Sequence, residues 1–214
     1  MVDLVLYDAI GSGNCFKIRF FASIPNLRLT MRPIMPIEGE TRTKTFARVN
    51  PLQQVPVLID GDVKVQDSQA ILVYLALKYG REWIDPTSEG MAAIHEWLSY
   101  AAKKVSNGPQ MARLHFYDPQ EEIDIERAQA IGRNVLRFLN RILADRDWRC
   151  LARPTIAAIA VFPYVAISKE GRLPLDQHHN VVAWIDHIPT IPGYEPMPGM
   201  SSPLLPQNKR SQDA

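Results

Sequence analysis

Cysteine is scarce in this 214-residue chain: Cys15 and Cys150 are the only two. Two thiols build no disulfide framework, and no Cys/His cluster has zinc spacing, so no metal is expected and a reducing, cytoplasmic setting is. Charge of one sign is lacking too. Lys+Arg of 24 against Asp+Glu of 23 leave a formal net charge of +1, whereas a nucleic-acid binder shows a basic excess or stripe. The longest apolar run, Ile156 to Ile167, is 12 residues with Pro163 inside it, short of the ~20 needed to span a bilayer. Met1-Val2-Asp3 leads straight into strand-like sequence without a charged leader or cleavage site, so nothing marks secretion. Gly11 and Gly13 lack the third glycine of a dinucleotide fingerprint, and no Gly-Lys-Ser/Thr loop exists, so no nucleotide cofactor is expected. No G-x-S-x-G elbow surrounds Ser12, and the five histidines show no catalytic spacing.

What remains is an ordinary globular composition, 46% hydrophobic and 22% charged, enough for one large domain or two small ones. Leu4–Tyr7 reads as a strand ended by Gly11-Ser12-Gly13, and 15–24 as a helix with Phe16, Phe20 and Phe21 turned to the core. Leu27–Met31 alternates as a strand does, and 41–49 reads as a short helix. Val55–Ile59 and Val63–Val65 flank Asp60-Gly61-Asp62, a hairpin signal because glycine beside aspartate supplies the φ > 0 positions of a tight turn. Asp67-Ser68 then stands where a helix N-cap belongs. This β-α-β-α-β-β-α order predicts a mixed sheet with helices packed on it, over residues 1–80.

Residues 80–88 read as a linker, and nearly everything after them is helix-periodic. Met91, Ile94, Leu98, Ala101 and Val105 form one stripe, and Ala128, Ile131, Val135, Phe138 and Ile142 another. Ile156–Ile167, apolar on all faces, suits the centre of a bundle, so 88–195 is expected to be all-helical. Four prolines between 195 and 206, then a polar end, predict an irregular or disordered tail at 196–214.

The chemistry concentrates in Ser12-Gly-Asn-Cys15, between the first strand and the first helix. A thioredoxin-type unit carries C-x-x-C there, because a helix N-terminus offers free N–H groups and partial positive charge to a thiolate. Ser12 replaces the first cysteine, so no dithiol cycle can run at this site. Ser12 can cap the helix, or stabilise a thiolate belonging to another molecule.

Four motifs then carry a resemblance: Ser12-Gly-Asn-Cys-Phe-Lys17, Asn50-Pro-Leu-Gln-Gln-Val-Pro-Val-Leu58, Gln66-Asp-Ser-Gln-Ala-Ile-Leu72 and Arg153-Pro-Thr-Ile-Ala-Ala-Ile-Ala160. Over about residues 1–200 the chain resembles the cytosolic glutathione S-transferases, of the theta- or beta-like bacterial type. The resemblance implies a thioredoxin-like domain that binds glutathione as co-substrate and a helical domain that shapes a pocket for a small apolar electrophile. It implies a homodimer with a detoxifying role. Ser12 aligns with the catalytic serine of theta-like enzymes, and Cys15 with the cysteine of beta-class relatives, which would make the chain a thiol transferase or reductase instead. Val55-Pro56 matches a cis-proline turn that frees the Val55 backbone for the cysteinyl unit. Asp67-Ser68 matches the acidic-Ser pair for the γ-glutamyl end, and Gln54 a position, often Lys, at the glycine end. A glutathione-transferase-like binding module without turnover is a further alternative. Trp97, Tyr100, Met111, Arg113, His115 and Phe116 surround the second-substrate region. Two departures stand out: Ala158 replaces the acid of the family's Ser/Thr-x-x-Asp capping box that begins at Thr155, and Leu151-Ala152 replaces Gly-Asp before Arg153.

Overall fold

Every second residue of Leu4–Asp8 turns inward: Leu4, Leu6 and Asp8 are buried while Val5 and Tyr7 are half-buried, the period of a strand. In a computed structural model, which describes residues 4–118, 120–144 and 154–200, this strand is β1. It pairs in parallel with β2 (Leu29–Pro33), from Leu4 opposite Leu29 to Asp8 opposite Pro33. A parallel pair needs a crossover, and α1 (Gly13–Ser23) supplies it. β3 (Val57–Asp60) runs antiparallel to β1, and β4 (Val63–Gln66) antiparallel to β3, around Gly61 at φ +59. The strand order is β2-β1-β3-β4. The short helix expected over 41–49 is confined to α2 (Lys44–Val49), because Thr43 caps it: its Oγ1 accepts the Phe46 N–H at 3.1 Å. Thr41 lies in a 3₁₀ turn before it.

After β4 comes α3 (Ser68–Tyr79), and the expected linker holds a 3₁₀ turn at Arg81–Trp83 that sinks Trp83 and Ile84 into the core. α4 (Ser88–Tyr100) runs without a break through a π-helical stretch, Ala101–Gln110, into α5 (Met111–Tyr117). Pro109 has no N–H to donate, and its ring crowds the carbonyl one α-turn earlier, a conflict the wider turn relieves. Gly108 is needed for a second reason: a Cβ there would come within 2.8 Å of the Gly132 backbone nitrogen. Gly132 belongs to α6 (Ile125–Ile142), whose Ala128 and Val135 are buried as the periodicity predicts. α7 (Ile156–Ala166) is buried from Ile156 through Val165 and packs on α1, α3 and α4. Thr155 caps it by accepting the Ala157 N–H at 3.3 Å, and Ala158 is fully enclosed. α8 (His179–His187) closes the helical region.

One apolar core runs through both regions. Phe16 and Phe20 of α1 meet Phe162 of α7 with ring centroids 6.2 and 6.4 Å apart, and Tyr194 stands edge-on to Phe20 at 5.2 Å. Of the tail expected to be irregular or disordered over 196–214, residues 196–200 are described; they form no helix or strand, yet they lie against the core. Met197 is buried and Tyr194 and Met200 pack on the core, because these apolar side chains among the prolines find a surface to cover. Residues 201–214, Cys150, Leu151-Ala152 and Arg153 lie outside the described residues.

The far end of β3 is held by a charged node. Buried Asp60 accepts from Lys78 Nζ (2.6 Å), Tyr79 Oη (2.6 Å) and Tyr74 Oη (2.8 Å), all from α3. Burial alone would raise its pKa, but these bonds together hold it below the usual carboxylate value. A depressed folded pKa contributes stability above the unfolded value that is lost as pH falls through the folded one. Asp60→Ala is therefore expected to destabilise by ~1–3 kcal/mol, from stranding the two phenols, or roughly 2–12 °C in Tm. Thermal melts at pH 7 and pH 3 check it: the gap between variant and wild type should narrow in acid.

Candidate functional site

The strand register decides where the site lies. Tyr7 stands opposite Val57, and Val57 opposite Gln66. The exit of β1, the entry of β3 and the exit of β4 therefore share one end of the sheet; Pro56 directly precedes β3, Asp67 directly follows β4, and Ser12 lies on the loop between β1 and α1. Arg19 fixes the loop after β1 by pairing with Asp8 and donating to the Ile10 carbonyl at 2.9 Å.

Ser12 is the N-cap of α1. Its Oγ accepts the Cys15 N–H at 3.3 Å, and the residue is half-exposed. Cys15 points the other way, fully buried, with Sγ accepting the Ala9 N–H at 3.4 Å. Burial, reinforced by the nearby Asp8 carboxylate, pushes its thiol up to about 12. Tyr164 reaches the loop from α7, its ring so close to Gly13 that a Cβ there would approach Cζ to 2.8 Å. Ser12 and the Asn14 N–H face its phenol, but burial dominates and its pKa is pushed up to about 12.

On the other side, Asp67 caps α3 with Oδ1, accepting the Gln69 and Ala70 N–H groups at 2.9 and 3.0 Å. It holds φ +71, which non-glycine residues seldom adopt. Ser68 is buried, and its Oγ lies 3.3 Å from Asn14 Oδ1 and 3.4 Å from Lys17 Nζ, so the starts of α1 and α3 are tied together. The Val55–Pro56 bond is cis. Gln54 is exposed on the loop before it, its carbonyl held at 2.7 Å by the Nδ2 of buried Asn50, which also receives the Leu52 N–H on Oδ1 at 2.9 Å.

Of the helical-region candidates, Arg113 reaches this site: it donates to the Gly11 carbonyl at 2.9 Å, pairs with Glu170 and stacks on Tyr117. Trp97 and Tyr100 instead pack on Phe138, away from it, and Phe116 lies under Arg172. Sequence reading passed over Lys17, Asn50, Tyr117 and Tyr164 as site residues. Lys17 and Asn50 stood inside two of the diagnostic motifs, which was the available signal; for the two tyrosines there was none. Among the described residues no group of three or more His, Cys, Asp and Glu is placed to hold a metal, and no helix is long and apolar enough to cross a membrane.

Comparison with known proteins agrees with this geometry. Residues 2–77 match the family model described as glutathione S-transferase, N-terminal domain. Mouse glutathione S-transferase theta-1 is 35% identical over 197 residues, covering 86% of this chain and 82% of that protein. Among solved structures, a glutathione S-transferase from Xanthobacter autotrophicus superposes with a TM-score of 0.84 at 26% identity, over 92% of this chain and 98% of that one. A glutathione transferase homologue from Drosophila mojavensis, solved with bound glutathione, gives 0.80 at 22% identity over 91% and 90%. The chain belongs to the glutathione S-transferase family: a thioredoxin-like N-terminal domain joined to a mostly helical C-terminal region.

Proposed function

We propose that the protein conjugates glutathione to small apolar electrophiles, with Ser12 as the donor that stabilises the thiolate. The observation that carries this is the half-exposed Ser12 hydroxyl at the start of α1, at the sheet end that also presents the Val55–Pro56 turn and Asp67-Ser68. In this reading the 1–80 region binds glutathione. The Val55 backbone pairs with the cysteinyl unit, Asp67 and Ser68 take the γ-glutamyl end, and Gln54 gives the glycine carboxylate a neutral hydrogen bond. The Ser12 O–H donates to the thiolate, which attacks the electrophilic carbon while the leaving group departs with the bonding pair. The 88–195 region shapes the second pocket, and exposed Ile10 and Tyr117, on either side of Gly11, offer apolar surface for it. The protein works as a cytoplasmic homodimer in detoxification. Retention on immobilised glutathione together with turnover of an activated aryl halide tests the reading; retention without turnover would leave a binding module.

Burial of Cys15 speaks against the thiol transferase alternative. A thiol with a pKa of about 12 is ionised to about one part in ten thousand at pH 8, and no solvent reaches it. Iodoacetamide at pH 8 is therefore expected to leave Cys15 unmodified in the native protein and to alkylate it after denaturation, read by peptide mass spectrometry. Rapid native alkylation, or a glutathione adduct on Cys15, would favour the mixed-disulfide chemistry.

A further inference from the structure

Every carbonyl of the loop from Ala9 to Ser12 is held. The Ala9 carbonyl accepts the Ser12 N–H at 2.9 Å, that of Ile10 accepts Arg19 Nη2 at 2.9 Å, and that of Ser12 accepts the Phe16 N–H at 2.9 Å. These three donors come from the loop itself and from α1. The Gly11 carbonyl differs: its donor is Arg113 Nη1 at 2.9 Å, from α5, 102 residues further along the chain. The Gly11 C=O and the Ser12 N–H belong to one planar peptide unit. Ala9 holds the N–H end of that plane and Arg113 the C=O end, so the peptide leading into Ser12 is fixed from both regions.

Arg113 is itself held fast. It is buried, its Nε pairs with Glu170 of the 3₁₀ turn Ser168–Gly171, and its guanidinium lies 4.6 Å from the Tyr117 ring centre. That turn packs so closely that a Cβ on Gly171 would come within 2.9 Å of the Arg113 backbone nitrogen. Tyr117, one turn later on α5, closes the other side of the loop: a Cβ on Gly11 would come within 2.8 Å of its Oη. Burying a guanidinium carries a desolvation cost, and apolar packing of Phe16 and Phe20 on Phe162 already joins the two regions. Here the buried charge is spent on the one carbonyl that precedes Ser12.

We infer that Arg113 is a positioning residue for the Ser12 hydroxyl: by holding the Gly11–Ser12 peptide plane it sets where Ser12 Oγ stands against the glutathione sulfur. The helical region then takes part in stabilising the thiolate as well as in shaping the second pocket. This rests on the reading of Ser12 as the thiolate's donor. Hydrogen bonds weaken steeply as the donor angle closes. A tilt of this plane therefore costs the thiolate its donor, while the contacts that bind the rest of the peptide stay in place.

The test reads the thiol itself in the full-length protein. Ultraviolet thiolate absorbance, taken as the difference between the glutathione and S-methylglutathione complexes, is titrated against pH in wild type, Arg113→Met, Ser12→Ala and the double variant. Arg113→Met is expected to raise the apparent pKa of the bound thiol by about one unit, and so to lower kcat/KM about ten-fold below that pKa. Calorimetric Kd for S-methylglutathione, which has no thiol to stabilise, should stay within about three-fold of wild type. In the Ser12→Ala background the same substitution should move the thiol pKa by less than about a third of a unit, because two residues acting through one bond are not additive. Arg113→Lys keeps the charge but lacks the fork that holds Gly11 and Glu170 together. It should fall between Arg113→Met and wild type, and it takes the place of Arg113→Met in the cycle if that variant does not fold.

The groups around the loop leave this readout clear. Cys15 and Tyr164 are both pushed up to about 12 and keep their protons while the ligand thiol titrates, and Asp8 is paired with Arg19. Buried Lys17, pulled down by burial to about 8, titrates in the same range in every variant, so the thiol is followed by its own absorbance and not by rate alone. Arg113→Met also bares the Glu170 carboxylate, and an effect of charge would persist when Ser12 is gone. A shift of equal size with and without Ser12 would therefore make Arg113 an electrostatic group. A lower Tm with an unchanged thiol pKa would make it a brace between the two regions. Either result overturns the positioning role and leaves the Ser12 reading standing. A wild-type thiol pKa in Ser12→Ala would overturn that reading, and this inference with it.

Discussion

Ser12→Ala is expected to lower kcat/KM for conjugation by ten- to hundred-fold, a loss of ~1.4–2.7 kcal/mol of transition-state stabilisation. A free thiol with a pKa of ~8.5 is only ~3% ionised at pH 7. Lowering that pKa by one to two units takes ~1.4–2.7 kcal/mol, which one hydroxyl donating to a thiolate can supply at ~1.5–3 kcal/mol. The apparent pKa of bound glutathione, read from the pH–rate profile, should rise by the same one to two units. Stability should fall as well, because Ser12 Oγ also accepts the Cys15 N–H as the cap of α1. Loss of an N-cap to alanine costs ~0.5–2 kcal/mol, so Tm should fall by roughly 1–8 °C. Ser12→Gly separates the two roles. Glycine caps almost as well as serine, so this variant should melt near wild type and still lose the turnover. Wild-type activity in both variants, with activity lost in Cys15→Ala, would remove Ser12 from the mechanism.

What could be seen in the sequence was what local chemistry dictates. The Asp60-Gly61-Asp62 turn, the caps at Ser12 and Asp67, and the stripe on α6 each follow from residues a few positions apart, and they sit where expected. Cys15 was legible in the same way, as a residue of the first turn of an N-capped helix. Lys17 was not, because its burial depends on Ser68, 51 residues later, and on Tyr164 arriving from α7. Nor was the π-helical stretch, since an apolar period of 3.6 says nothing of how Pro109 and the Gly108–Gly132 contact reset the turn. Arg113 shows the limit from the other direction. It was one of six candidates in the helical region, and only the packing of α5 against the Ser12 loop brings it to the Gly11 carbonyl. The site is thus readable where it borrows a helix end or a turn, and unreadable where the helical region completes it.

Asp67→Asn should separate charge from capping at the other end of the site. Asp67 does three things at once: it ends β4 at φ +71, it caps α3 through Oδ1, and in the proposed reading it presents a carboxylate to the α-amino group of glutathione. Asparagine keeps the first two, since it tolerates positive φ and caps as well as aspartate. It gives up the negative charge. The variant is therefore expected to melt within ~2 °C of wild type while Kd for glutathione rises about ten- to hundred-fold, the range of a lost hydrogen bond between charged groups. Because the amino group is held alike in the ground state and the transition state, kcat at saturating glutathione should stay within a few-fold of wild type. Asp67→Ala should show the same weakening and in addition lose the cap, ~0.5–2 kcal/mol, with some further strain from placing alanine at positive φ. Calorimetric titration beside thermal melts distinguishes these cases. An Asp67→Asn protein with unchanged Kd would reduce Asp67 to the cap of α3 and leave the amino group to another residue.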